Sequence, residues 1–204
     1  MIGRHVSGAV LAGGGSTRFG GRPKGLAELD GRRLIDRVLD ALHVVADDTF
    51  VIANDPAVRA ALSDIPVFGD VRPQRASLIG LHSALSHCRD GALVIGWDMP
   101  FVSPALLRHL RDIGVAACAA VIPVGPRGPE PLCAYYPRSV LSVIERQIDA
   151  RELRLSAFVD ALSNGILIPA GDVSRFGEPA IMFANINTMA DLDHLTVAPH
   201  LEHQ

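Results

Sequence analysis

Val6-Ser7-Gly8-Ala9-Val10-Leu11-Ala12-Gly13-Gly14-Gly15-Ser16-Thr17-Arg18-Phe19-Gly20-Gly21, with Lys24 three residues on, is the stretch that decides the fold of this chain. Val6 to Ala12 is a short apolar run and reads as a buried strand. It opens into a loop with five glycines, an arginine and a lysine. Glycines let the backbone take positive φ and approach a ligand closely. Successive amide N–H groups in such a loop form a concavity for anions. Arg18 adds a planar fork of donors and Lys24 a compact point charge. The combination suits a triphosphate. A flexible turn carrying two solvated cations is the plain alternative.

Three familiar motifs fail here by residue type. Gly15 and Gly20 have the spacing of a P-loop, but Gly21 stands where that motif needs lysine. Gly13 and Gly15 begin a dinucleotide fingerprint, but Arg18 replaces its third glycine. Gly14 and Ser16 begin a nucleophile elbow, and Arg18 again stands where glycine is required.

Working outward, strand-like and helix-like segments alternate. Val6–Ala12, Phe50–Ala53, Pro66–Phe68, Ala92–Trp97 and Ala119–Val124 are short, apolar and rich in Val or Ile. Helical periodicity falls at Leu34–Val45, Pro56–Leu62, Leu78–His87 and Pro104–Ile113. Further on come a strand at Leu132–Tyr136, helices near Val140–Ile148 and Glu152–Leu162, a strand at Gly165–Pro169, and a helix from about Met189. This pattern predicts an α/β fold: a single doubly wound, mostly parallel sheet with helices on both faces, residues 1–204 forming one domain. Val124–Pro131, with its prolines and glycines, reads as a mobile loop.

Composition bounds the function. The 204 residues are 49% hydrophobic and 20% charged, which gives a sizeable core. The net charge of −3 has no basic block behind it, so a general nucleic-acid binder is not expected. The longest apolar stretch, Val115 to Val124, is too short to cross a bilayer, and the N-terminal segment does not read as a signal peptide. Cys88, Cys118 and Cys133 form no C-x-x-C pair and read as buried thiols of a cytoplasmic protein. His82 and His87 are not spaced to share a helix face; these, like His200 and His203 in the tail, read as surface or interface residues.

In open α/β sheets ligands bind beyond the carboxyl ends of the strands. Those ends carry the glycine loop, Asn54-Asp55, Gly69-Asp70 and Asp98-Met99-Pro100. Helix capping accounts for some of these residues. Asp55 before Pro56 and Ser103 before Pro104 read as N-caps, and Thr188 with Asp191 as a capping box. Asn54, Asp98, Asn185 and Asn187 are left without that role. A lone carboxylate at a strand end is suited to magnesium, which takes one or two carboxylates plus substrate phosphates.

These residues resemble the nucleotidyltransferases, and among them the molybdenum cofactor guanylyltransferases. Leu11 to Lys24 is similar to the signature L-A-G-G-x-x-x-R-x-G-G-x-x-K, and Asp98-Met99-Pro100 to the metal-binding D-x-P motif. Pro131-Leu132-Cys133-Ala134-Tyr135 resembles P-L-x-A-x, and Asn185-Ile186-Asn187-Thr188 with Asp191-Leu192 resembles N-x-N-T-x-x-D-L. The pattern departs at Ala76-Ser77-Leu78-Ile79-Gly80, where relatives often read G-P-L-x-G, and at Trp97, where they tend to have a small residue.

The resemblance implies GMP transfer from GTP to the phosphate of molybdopterin, with Mg²⁺ and release of pyrophosphate. It assigns the nucleotide to Leu11, Ala12, Gly13, Gly14, Lys24, Asn54, Asp70 and Asp98. It places the metal on Asp98 and the second substrate on Asn185 and Asn187. Lys24 and Asp98 are then catalytic, joined by Arg18 as a cation at the leaving pyrophosphate. Arg151 and Arg154 are candidates for the pterin phosphate. Contact with molybdoenzyme-maturation proteins follows from such an acceptor, and neither nucleic acid nor membrane is an expected partner. CTP in place of GTP, another phosphorylated acceptor, and a non-catalytic nucleotide binder are the alternatives.

Overall fold

The computed structural model describes residues 3–13 and 23–186. Strand β1 (Val6–Leu11) lies inside the sheet with every residue buried. Its alternating side chains feed two cores. Val6, Val10 and Ala12 belong to the core on one face, and Ala9 and Leu11 to that on the other, as the two-residue period of a strand requires. The hairpin β2–β3 (Glu28–Leu29, Arg32–Arg33) follows, turning on Asp30 and Gly31, both at positive φ. That is the two-residue turn that Asp-Gly favours.

Helix α1 (Leu34–His43) buries Leu34, Ile35, Val38, Leu39, Ala41 and Leu42, a helical stripe turned towards the sheet. It leads into β4 (Asp48–Ile52), which pairs in parallel with β1. Helix α2 (Pro56–Ala61) is capped by Asp55, whose carboxylate accepts from the Ala57 N–H at 2.8 Å. Strand β5 (Val67–Phe68) lies beyond β4, also parallel. After helix α3 (Ser77–His87) the chain crosses to the far side of β1, where β6 (Gly91–Gly96) pairs in parallel from Val6↔Gly91 to Leu11↔Gly96.

Helix α4 (Pro104–Ala117) returns to β7 (Val121–Gly125), and β8 (Gly128–Pro129) folds back on β7. Strand β9 (Cys133–Pro137) inserts between β6 and β7, antiparallel to both. Helices α5 (Leu141–Asp149) and α6 (Leu155–Asp160) precede β10 (Ile166–Ile168), which joins β7 in parallel, and the short α7 (Ala170–Val173) and α8 (Pro179–Met182) follow. The main sheet runs β10-β7-β9-β6-β1-β4-β5 with β8 on β7. It is mostly parallel and helix-covered on both faces: α1 and α4 on one core, α3, α5 and α6 on the other. Burying each large aliphatic or aromatic side chain in these layers contributes about 1.5–3 kcal/mol. Because β4 and β6 flank β1 on opposite sides, the chain reverses direction there, which opens a crevice at the carboxyl ends of β1 and β6.

Four sequence expectations are corrected. Val124–Pro131 is not a mobile loop but the β7–β8 hairpin, pairing Val124 with Pro129 and Gly125 with Gly128. Its glycines and prolines serve a tight turn. His82 is buried at 4% exposure between α3 and α5, with Nε2 3.6 Å from Glu145, because α3 is apolar on more than one side. Cys118 is exposed and caps α4 at φ 53°, while Cys88 and Cys133 are buried as expected. Ser103 stands at the N-cap of α4, but its side chain makes no capping bond. Thr188, Asp191, His200, His203 and the helix expected from Met189 lie outside the described residues.

Candidate active site

The crevice is closed at its base by backbone pairing. Ala12 N–H donates to Ile52 O at 2.9 Å and Trp97 N–H donates to Leu11 O at 3.2 Å. Leu11 and Ala12 therefore hold the loop's root in the sheet with buried side chains, and the chain emerges at Gly13, where a Cβ would meet nothing within 4 Å. Gly14 and Arg18 lie outside the described residues.

The chain re-enters at Pro23 and makes one 3₁₀ turn, Lys24–Leu26. Lys24 Nζ donates to Asp98 Oδ2 at 2.7 Å, both side chains mostly covered. Two residues far apart in sequence thus share one point at the mouth of the crevice. Each is held there by an adjoining glycine. A Cβ on Gly25 would lie 2.2 Å from Cε3 of Trp97, so the turn that presents Lys24 rests flat on the Trp97 indole. A Cβ on Gly96 would lie 2.7 Å from Asp98 Oδ1, so the carboxylate folds back over bare backbone at the end of β6. Trp97, a departure in the sequence pattern, is thereby matched by Gly25 and is 3% exposed.

On the other side of β1, Asn54 and Asp70 bind each other twice. Asn54 Nδ2 donates to Asp70 Oδ2 at 2.6 Å, and Asp70 N–H donates to Asn54 Oδ1 at 2.8 Å. Ser83, from α3, braces this pair: its hydroxyl donates to Ile79 O at 2.8 Å, accepts from Val71 N–H at 3.0 Å, and lies 3.3 Å from Asp70 Oδ1. Sequence reading missed Ser83. Its signal was a serine at a buried position of an otherwise apolar helix.

From the last described segment, Ile186 N–H donates to the backbone carbonyl of Asp98 at 3.1 Å, which ties the stretch carrying Asn185 to the end of β6. Asn187 lies outside the described residues. Arg154 does not stand ready for a phosphate. Its guanidinium grips Glu152 in a two-pronged bond at 2.9 and 2.6 Å. That contact holds the exposed Glu152 carboxyl down at about 2.

Among the described residues no three His, Cys, Asp or Glu side chains gather into a metal cage. A single carboxylate at the mouth of the crevice is still a fitting donor set for magnesium, whose remaining positions go to water and substrate phosphates. Among the same residues no helix is long and apolar enough to cross a membrane.

Residues 8–164 match the family model described as MobA-like NTP transferase domain. The chain is 34% identical over 194 residues to a molybdenum cofactor guanylyltransferase of Desulfosudis oleivorans, covering 95% of each. It superposes with a TM-score of 0.78 and 33% identity on molybdopterin-guanine dinucleotide biosynthesis protein A of Archaeoglobus fulgidus, covering 92% of this chain and 95% of that one. A Mycobacterium tuberculosis protein crystallised with manganese shares the fold at a TM-score of 0.63 and 22% identity, covering 95% and 98%. A lysine and an aspartate that meet at the carboxyl edge of the sheet, beside its reversal point, and relatives that match nearly end to end lead to one conclusion: the chain belongs to the MobA-like NTP transferases and is a nucleotidyltransferase.

Proposed function

We propose that the protein transfers GMP from GTP to the phosphate of molybdopterin. A phosphate oxygen of the acceptor attacks the α-phosphorus of GTP, a new P–O bond forms, and the bond to the bridging oxygen breaks to release pyrophosphate. The observation that carries this reading is the 2.7 Å contact between Lys24 and Asp98 at the mouth of the crevice. A cation for phosphate oxygens and an anion for a divalent ion are already on one spot.

Little covalent chemistry is asked of the protein, so positioning and charge neutralisation carry the rate. The Lys24 ammonium donates to the phosphates, and Arg18 adds a cation where pyrophosphate charge develops. Gly13 and Gly14 give the triphosphate a close backbone approach. Asn54 and Asp70, cross-linked and braced by Ser83, hold the nucleoside. Asp98 would hold Mg²⁺, which supplies Lewis-acid stabilisation of the phosphate oxygens. Asn185 and Asn187 face the acceptor. The whole chain works as one domain, and the cytoplasm, where cysteines stay reduced, is the compartment that fits.

Pyrophosphate release from GTP, CTP, ATP and UTP, with magnesium and with or without molybdopterin, tests this. Release that requires both GTP and molybdopterin is expected. Release with CTP alone would reassign the base, and no release with any nucleotide would reduce the protein to a binder.

A further inference from the structure

We propose that Trp97 is a positioning residue of the site: the face of its indole seats the Lys24 turn against Asp98, so that the cation and the carboxylate stay in register. This rests on the function proposed above and names the residue that fixes the spacing of its two charges.

The turn that presents Lys24 does not hold itself. It is a single 3₁₀ turn, closed by Leu26 N–H to Pro23 O and Ala27 N–H to Lys24 O, both at 3.0 Å, and no side chain caps it. The hydrogen-bond geometry of a 3₁₀ turn is poor, so tertiary contact must fix its place. A lysine stem is long and flexible, so the reach of its ammonium depends on where the backbone is seated. That seat is the indole. A Cβ on Gly25 would lie 2.2 Å from Cε3, 2.6 Å from Cδ2 and 3.0 Å from Cζ3 of Trp97, so the six-membered ring lies against bare backbone. Leu26, from the same turn, packs into the core that holds the indole.

The carboxylate is placed by the other end of the same residue. Met99 N–H donates to Gly96 O at 3.2 Å, closing a tight turn whose two central residues are Trp97 and Asp98. Trp97 N–H donates to Leu11 O at 3.2 Å and Gly96 N–H to Leu132 O at 2.8 Å, which pins that turn to β1 on one side and to the residue before β9 on the other. One Asp98 oxygen lies over Gly96 and the other accepts from Lys24 at 2.7 Å. Trp97 therefore touches the Lys24 turn with its ring and carries Asp98 on its own backbone. A shift of the ring changes the distance between the two charges.

The indole is not kept for a hydrogen bond. Trp97 is 3% exposed, and its Nε1–H is buried without an acceptor. A buried donor left unpaired costs free energy, and an aliphatic side chain would fill apolar space without that cost. What the indole adds is a broad, flat, rigid face. Phenylalanine keeps part of that face; leucine and methionine do not.

The experiment compares the full chain with its Trp97→Phe, Trp97→Leu and Trp97→Met variants, their folding checked by circular dichroism. Two readouts are taken: calorimetric titration of GTP without magnesium, and pyrophosphate release with GTP, magnesium and molybdopterin varied independently. In the two aliphatic variants GTP affinity is expected to fall about 10-fold, the value of one charge-assisted bond. Their kcat/KM for GTP is expected to fall about 10- to 100-fold, the cost of misplacing a group by about 1 Å. KM for molybdopterin stays within about twofold, because no contact to the acceptor is removed. Trp97→Phe recovers most of both losses; it is only a little larger than the aliphatic variants, so recovery reports the flat face rather than filled volume. Wild-type behaviour of the aliphatic variants, an equal loss in all three, a change confined to KM for molybdopterin, or failure of both aliphatic variants to fold would each overturn the proposal while leaving the guanylyl transfer standing. Failure of wild type to release pyrophosphate in response to molybdopterin would overturn the underlying function and this inference together.

Discussion

The two flanks of β1 solve the same problem differently. Towards β4 and β5, Asn54 and Asp70 lock each other through a reciprocal pair of hydrogen bonds, with Ser83 behind them. Towards β6, Lys24 and Asp98 meet as an ion pair across 74 residues of sequence. The first is a shelf in which a neutral amide bonds a carboxylate and accepts in turn from a backbone N–H. The second joins two opposite charges, which the proposed function assigns to the triphosphate and to its metal ion. In the proposed function, recognition falls to the shelf and chemistry to the ion pair.

The largest effect should come from breaking the charged flank. Asp98→Ala is expected to lower magnesium-dependent turnover by about 10³-fold or more, several kcal/mol of lost charge stabilisation, with circular dichroism and cooperative unfolding retained. Wild-type turnover would remove the metal role. Next, Lys24→Ala should weaken GTP binding in calorimetry by roughly 1.5–3 kcal/mol per charge-assisted bond lost. Unchanged affinity would take Lys24 off the phosphates.

The supports of the pair come third. Gly25→Ala drives a methyl into the Trp97 ring and should cost about 1–3 kcal/mol in chemical denaturation. GTP affinity should fall with it as Lys24 is displaced. Adding Trp97→Leu should restore part of both, and strict additivity of the two changes would show that they do not touch functionally. The smallest effect belongs to the shelf. Asn54→Ala removes two hydrogen bonds to Asp70 and should raise KM for GTP several-fold, about 1 kcal/mol, while kcat holds. A fall in kcat as large as that of Lys24→Ala would erase the contrast between the flanks.

Much of the fold was legible because its elements obey simple periods. β1, β4 and β6 are near-continuous apolar runs, as parallel strands covered on both faces must be. Helix α1 shows its buried stripe from Leu34 to Leu42. The direction of β9 was not legible: Cys133 to Pro137 would read the same in either sense, and only its seat between β6 and β7 decides it. The β2–β3 hairpin was not read from the sequence, because strands of two residues are too short to show alternation.

At the site, Lys24, Asp98, Asn54 and Asp70 were visible because a polar residue after a buried strand needs a reason. Gly25 and Gly96 were not, since their reason is a side chain elsewhere, Trp97 for one and Asp98 for the other.

The central claim is that Lys24 and Asp98 act on one bound nucleotide. Its most direct test is calorimetric titration of GTP, with and without magnesium, into wild type, Lys24→Ala, Asp98→Ala and the double variant. The account predicts that the magnesium-dependent gain in affinity disappears in Asp98→Ala and that the two substitutions are strongly non-additive. An undiminished magnesium gain in Asp98→Ala, with fully additive losses, would contradict it.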